Sequence, residues 1–528
     1  MTELADAAAP GLVLKAGAEW DTLIGRAVEL APEAFRADGR PLNLVQSVWS
    51  SPGHPKPVLS PVDGRALSHL PMVEYDVARR AVRAAAGELH AWRQVDLDER
   101  RRRVSDCVDD LEANRELLAY LLVWEIGKPH RQSLVEVDRM VAGVRWYIDE
   151  IETMLQGRHA IGLVSNIASW NYPLGQLVHG LLIQMLAGNP VIAKTPTDGG
   201  LVSLTLAAAI ARRHGLPISL VSGSGARLAE ALVRDAAVAA VAFVGGKSSG
   251  RDVEAALLDR GTRYMIEMEG INSYGVWGFS DWSALAEQIR RGFEYGKQRC
   301  TAYSRFVVER TLFPDFLDTY LGVVRGLRIG HPLLVEHPDD APPDIDFGPL
   351  INAAKAEELR ERYTEAVAAG AVMLHRGRFD ESRFLPDQDI SAYFRPTALL
   401  GVPRSCDLYH LEPFGPVDTI VVVDRVDELV AEMNASNGAL VSSIACDDEP
   451  LAKRIAGELR AYKVGINRVR SRGDREETFG GLGESWKGAF VGGEHAVRAV
   501  TQGPAGERTC GNFPGEVILP AGYRRVLS

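Results

Sequence analysis

The chain has 528 residues, is 46% hydrophobic and 24% charged, and carries a net charge of −11. That length gives enough core for two large domains or several small ones, and the negative balance argues against nucleic acid or an anionic membrane as a partner. The first residues lack a basic stretch leading into an apolar run, and no segment reaches the length of a membrane span. Five widely spaced cysteines, Cys107, Cys300, Cys406, Cys446 and Cys510, form no CxxC pair. They suit neither a zinc site nor a disulfide framework. The expectation is a cytoplasmic protein with no metal, no nucleic acid and no membrane partner.

Residues 1–57 form an amino-terminal extension of mixed character, ending in the turn-rich "SSPGHPKPVLSPVDGRAL". From Val73 to about Tyr147 apolar residues recur at three- and four-residue spacing, which predicts helices. The period then changes. "AIGLVSNIA", "PVIAKTP", "ISLVSG", "VAAVAFVGG" and "YMIEME" read as short apolar strands, and helical runs separate them. Such alternation predicts a parallel sheet covered on both faces, with ligands bound beyond the carboxyl ends of its strands. A second alternating region runs from "SYGVWGF" to "KVGINRV", with "DWSALAEQIRRGFEYG" as the helix before Cys300. The tail from "TQGPAGERTCGNFPGEV" onward reads as irregular. The fold class expected is α/β, with two doubly wound parallel-sheet domains and a small oligomerisation element.

Several residues at strand ends suit chemistry. "GSGARL", which includes Gly225, holds two of the three glycines of a dinucleotide fingerprint, and "GGKSSG", with Gly245 and Gly246, lacks the first glycine of a P-loop. Singly these are strand-to-helix turns; together in one sheet they favour a nucleotide. Asn171 in "SWNYPLG" reads either as a helix cap or as an amide for a developing oxyanion. Lys194 in "VIAKTP" is either a solvated strand end or a reach to ribose or phosphate. Glu267 in "YMIEMEG" is either a surface carboxylate or a general base. Cys300 in "YGKQRCTAYSR" alone reads as a buried thiol.

Taken in order, "SWNYPLG", "VIAKTP", "FVGG", "IEMEG", "GKQRCTAYSR", "LEPFGPV" and "FGGLGES" resemble the aldehyde dehydrogenase superfamily over roughly residues 58–500. The resemblance implies an NAD(P)-dependent oxidation of an aldehyde to an acid. Cys300 would be the nucleophile, suited by a thiolate's ability to attack a carbonyl and later to leave. Asn171 would bind the oxyanion with the Cys300 N–H, and Glu267 would activate water. Lys194 would hold the adenine ribose, and Glu412 and Phe414 the nicotinamide ribose and ring. Gly225, Gly245 and Gly246 would lie in the diphosphate loops, with Ser169, Trp170 and Thr197 also against the cofactor. Tyr172, Gln176, Trp146, Arg299 and Thr301 are candidate substrate-wall residues by their closeness to these motifs, with core packing as the alternative. Arg299 could favour an anionic substrate group or ionisation of the thiol, or point to solvent.

The resemblance also divides the chain. Residues 58–145 and 159–271 would form the dinucleotide-binding domain, 272–471 the catalytic domain, and 146–158 with 490–528 an oligomerisation hairpin and tail that favour a homodimer. Two departures stand out. The family's Glu-Leu-Gly-Gly-Lys is "EMEGI" here, which places Glu269 at a glycine position, as a second ionisable group beside Glu267, and Ile271 at a lysine. Thr197 stands where NAD-preferring members often carry a glutamate, so the cofactor leans towards NADP or dual use. A CoA-acylating relative, or a non-catalytic member that keeps the fold, are the alternatives. Glu267 argues against the first, and only "EMEGI" supports the second.

Overall fold

Five short, mostly buried apolar runs line up as the parallel centre of a ten-stranded sheet. The computed structural model describes residues 12–436, 438–471 and 475–527. Leu163–Ile167, Val191–Lys194, Ile218–Val221, Val238–Gly245 and Arg263–Met268 pair in the spatial order 3-2-1-4-5, all parallel. Strand order reverses between Leu163–Ile167 and Val238–Gly245, and ligands of doubly wound sheets bind at such a switch point. Val191–Lys194 is buried at all four positions, as a strand covered by helices on both faces must be.

The second sheet has eight strands. Asn272–Val276 and Tyr303–Glu309 lie side by side at its middle, between Val417–Val423 and Ala439–Ala445. All of its pairings are parallel except the edge strand Val372–Arg376. The expected pair of parallel sheets is therefore present. Only Gly270 and Ile271 and their neighbour Glu269 separate the last parallel strand of the first sheet from the first strand of the second.

The two ends of the chain differ from expectation. The leader is built into the first sheet: Asn43–Val45 pairs antiparallel with Ile218–Val221 through Leu44 and Leu220, and with Val48–Ser50. Helix Trp20–Leu30 buries Trp20, Leu23 and Ala27, and the Trp20 indole donates to Leu67 O. The 57/58 boundary falls inside strand His54–Leu59, which pairs with Ala66–Met72. The tail is not irregular. Gly511–Phe513 and Glu516–Ile518 extend the other edge of the first sheet through Trp486–Ala489. Residues 146–154 form no hairpin; they complete the 25-residue helix His130–Met154, and His159–Ala160 pairs with Thr501–Gln502. These short pieces lack the alternation that marks longer strands, so only tertiary pairing defines them. Among the described residues no helix is long and apolar enough to cross a membrane, and no cluster of His, Cys, Asp and Glu could hold a metal.

Helix Leu201–Arg213 is buried from Leu201 to Ala211, so its unpaired first N–H groups need an internal acceptor. Glu125, on helix Arg115–Ile126, supplies it: its carboxylate accepts from Val202 N, Ser203 N and the Ser203 hydroxyl. Burial pushes Glu125 up to about 7 against the opposing pull of those donors. The folded-state value lies above the unfolded one, so the protonated carboxyl contributes stability below about 4.5. That contribution is lost as pH rises to about 7, at up to about 1.4 kcal/mol per pH unit. Glu125→Gln should remove this slope. Thermal midpoints of the variant relative to the natural protein should rise through that window and level off above it; a constant difference would contradict the assignment.

Candidate active site

Cys300 follows a turn that the backbone would not adopt unaided. Tyr295, Gly296 and Lys297 have φ of 56°, 59° and 59°. Left-handed conformations at Tyr295 and Lys297 cost of order 1 kcal/mol each. Buried polar contacts offset that cost. Lys297 Nζ donates to Asp418 Oδ1 at 2.6 Å and to Tyr303 O at 2.7 Å, and the Tyr320 hydroxyl donates to Asp418 Oδ2. Burial pulls Lys297 down and pushes Asp418 up, each countered by the other's charge. The Gln298 amide donates to Tyr295 O and Pro349 O and accepts from Ile351 N. Asn272 Nδ2, at the start of the neighbouring strand, donates to Cys300 O and Ala302 O. Cys300 itself is half-buried.

Asn171 meets this turn from the first sheet. Its Nδ2 donates to Gln298 O at 3.0 Å, two residues before the cysteine. It does not cap the helical turn Pro173–Val178. Glu136 does that, accepting from Leu174 N and Gly175 N. Lys128 ion-pairs with Glu136, donates to Asn171 O at 2.8 Å, and stands 3.8 Å over the Tyr172 ring and 4.6 Å over that of Tyr295. Both charges are buried, so the pair fixes the loop that carries Asn171.

Glu267 ends strand Arg263–Met268 and is 2% exposed. Its Oε2 accepts from Gln176 Nε2 at 3.3 Å, and Oε1 has no partner among the described residues. Gln176 sits one turn beyond Asn171. The segment 171–176 thus bonds to Glu267 at one end and to Gln298, two residues before Cys300, at the other. Gln176 reaches the carboxylate, a role that closeness in sequence did not reveal. Burial raises the Tyr172 hydroxyl well above its ordinary value, and the charges of Arg299 and Cys300 also act on it. Arg299 donates to Arg291 O and Gly292 O at the end of helix Trp282–Gly292, while its Nε is buried without an acceptor. Thr301, after the cysteine, is half-buried. Trp146 packs edge-on against Tyr147.

The residues expected at a cofactor lie at strand and helix ends. Lys194 Nζ donates to Thr195 O, and burial brings Lys194 down to about 8. Thr197 is half-buried, and Lys56 lies beside its carbonyl and Asp198. Gly225 begins helix Gly225–Leu232, where an added Cβ would meet nothing, so no close approach requires glycine there. Gly245 and Gly246 lead into helix Lys247–Leu257. Glu412 is buried and accepts from Gly270 N at 3.4 Å. Burial raises it well above the carboxylate range, helped by the charge of Glu269. The like charge that Glu269 acts on is therefore Glu412. Phe414 and Trp170 meet edge to face at 5.8 Å, next to half-buried Ser169. Gly270 must be glycine, because a Cβ would fall 2.2 Å from Ser485 Oγ. A buried ammonium bonded, among the described residues, only to a backbone carbonyl, a buried carboxylate, and helix N-termini at glycine turns together suit ribose hydroxyls and a diphosphate.

The family model described as "Aldehyde dehydrogenase family" matches residues 49–503. The non-phosphorylating aspartate-semialdehyde dehydrogenase of Halomonas elongata is 28% identical over 457 residues, covering 83% of this chain and 89% of the relative. Succinate-semialdehyde dehydrogenase [NADP(+)] 1 of Mycobacterium tuberculosis is 27% identical over 466 residues, covering 84% and 97%. Among solved structures, the NADP-dependent glyceraldehyde-3-phosphate dehydrogenase of Bacillus halodurans, complexed with NADP, superposes with a TM-score of 0.79 at 24% identity, covering 88% and 98%, and shares the fold.

Removing Lys297 should test what holds the cysteine turn. Lys297→Met leaves Asp418 buried without its cation and should cost about 3–5 kcal/mol of stability. Thermal melts should show a large fall in midpoint for the single variant. The double variant Lys297→Met/Asp418→Asn should recover most of it. A single variant that melts like the natural protein would contradict the role of the pair.

Proposed function

Because this chain belongs to the aldehyde dehydrogenase family, we propose that it oxidises an aldehyde to a carboxylic acid with NAD(P)+ through a thiohemiacetal and then a thioester on Cys300. The observation that carries the reading is that one segment, residues 171–176, bonds to the cysteine turn through Asn171 Nδ2 and to the Glu267 carboxylate through Gln176 Nε2, which supports a site made of a nucleophile, an amide donor and a carboxylate.

In this reading Cys300 Sγ attacks the aldehyde carbon and the carbonyl oxygen takes up the charge. Asn171 has two amide hydrogens. One is held by Gln298 O, which fixes the amide plane and leaves the other for the oxyanion, with the Cys300 N–H as second donor. The bound nicotinamide supplies the hydride acceptor. Glu267 Oε1, with no partner among the described residues, takes a proton from the water that attacks the thioester, while Gln176 holds Oε2. Thiolate then leaves and the acid is released. Lys194 and Thr197 would hold the adenosine ribose, Glu412 the nicotinamide ribose, and Phe414, Trp170 and Ser169 the nicotinamide side. Gly225, Gly245 and Gly246 would leave the helix N-termini open to the diphosphate. Thr197 puts no acid at the 2′ position and Lys56 lies beside it, which supports the lean to NADP or dual use.

Charge bookkeeping favours an anionic aldehyde. Lys128 is matched by Glu136 and Lys297 by Asp418. Arg299 has no carboxylate partner among the described residues, and its charge acts on Tyr172 beside Cys300. The semialdehydes named for the two relatives carry such a carboxylate. Steady-state kinetics with succinic semialdehyde and butanal, using both cofactors, test this directly. Arg299→Gln should lower kcat/KM for the carboxylated substrate roughly ten- to a hundredfold while changing that for butanal little. Cys300→Ala should form no NAD(P)H with either. Equal losses for both substrates in the Arg299 variant would sink the anionic preference, and activity in the Cys300 variant would sink the mechanism.

A further inference from the structure

Glu269 is the residue of "EMEGI" that stands at a glycine position of the family and whose side chain meets the start of a helix. It follows the carboxyl end of strand Arg263–Met268, beside strand Val238–Gly245 at the switch-point side of the sheet. Its Oε1 accepts from Lys247 N at 3.1 Å. Lys247 is the first residue of the eleven-residue helix Lys247–Leu257. Unpaired N–H groups and the dipole at such an N-terminus, directly after a strand and a Gly-Gly turn, favour a bound anion. Glu269 lies within 4 Å of no Lys or Arg nitrogen among the described residues, so a helix end, not a cation, holds this carboxylate. The space in front of Gly246 is otherwise open: an added Cβ would have the same Oε1 as its nearest neighbour, at 3.9 Å.

Two further features point to a ligand here. Glu412, buried and expected at a ribose, feels the charge of Glu269. Ser485 Oγ is buried without a partner among the described residues and lies against Gly270, the residue after Glu269. A like-charged carboxylate beside a buried acid, at the helix end where a diphosphate would sit, is a conflict that a glycine at position 269 would not create.

We propose that Glu269 is a resident anion that occupies the diphosphate subsite at the start of helix Lys247–Leu257 and must leave before a nucleoside diphosphate can bind. This rests on the dinucleotide-dependent reading given above and adds a residue that sets cofactor affinity. Lys247 and Lys355, both influenced by the charge of Glu269, are the cations available to receive the displaced carboxylate. Opening the subsite gives up a charge-assisted hydrogen bond, so the natural protein binds the diphosphate group more weakly than the crevice alone would allow.

Calorimetric titration of the natural protein, Glu269→Gly and Glu269→Gln with ADP-ribose and with adenosine separates the possibilities. ADP-ribose should bind Glu269→Gly about tenfold or more tightly than the natural protein. Glu269→Gln, which keeps the bulk of the side chain and an acceptor but loses the charge, should fall between and covers the case in which the glycine variant does not fold. Adenosine, which carries no phosphate, should bind all three equally. Equal or weaker ADP-ribose binding by the variants, with adenosine still bound, would overturn the proposal and leave the dinucleotide reading intact. If neither ligand bound any of the three proteins, the dinucleotide reading would fail and the proposal with it.

Discussion

The buried ammonium of Lys297 is the point on which the site depends. Two side-chain-bearing residues in left-handed conformation flank Gly296, and a chain left to itself would relax that turn. It persists because the Lys297 ammonium has no exit to water and is bonded to Asp418 and Tyr303 O at once. A buried pair is poor at adding net stability, but breaking it is costly, which makes it a good clamp. The clamp ties the cysteine turn to strand Val417–Val423, two strands away from Asn272–Val276. Cys300 is thereby positioned by the second sheet before any ligand arrives.

The opposing wall uses the same device. Lys128, in the loop between helices Arg115–Ile126 and His130–Met154, and Glu136, on the second of them, are both buried. Their charges hold the loop at Asn171 from two directions, one through its carbonyl and one through the N–H groups that follow it. Asn171 then bonds to the cysteine turn, and Gln176 to Glu267. The site is a seam between two sheets, with one ion pair rigidifying each side. Preorganised donors of this kind act without reorganising when charge develops, so the proposed mechanism would depend on pairs that touch no substrate.

The alternation of apolar strands and helices made both parallel sheets legible, because a strand buried on both faces must be apolar throughout. Cys300, Asn171 and Glu267 could be singled out through their motifs; in the structure Asn171 bonds to the cysteine turn and Gln176 to Glu267. Lys128, Glu136, Lys297, Asp418 and Asn272 were not legible as site residues. A buried ion pair leaves no local periodicity, and Lys297 and Asp418 are 121 positions apart. Gln176 could be placed near the site but not assigned to Glu267. The leader and tail were misread because strands of two or three residues, such as Asn43–Val45 and Gly511–Phe513, are defined only by the edges they join.

The central claim is that Cys300 carries the substrate as a thioester that water activated by Glu267 releases. Intact-protein and peptide mass spectrometry of Glu267→Gln, quenched in acid after mixing with cofactor and succinic semialdehyde, tests it most directly. The account predicts that the peptide holding Cys300 gains the mass of one succinyl group, that the adduct is lost on treatment with hydroxylamine, and that about one NAD(P)H forms per chain. An unmodified Cys300 peptide alongside continued NAD(P)H formation would contradict it.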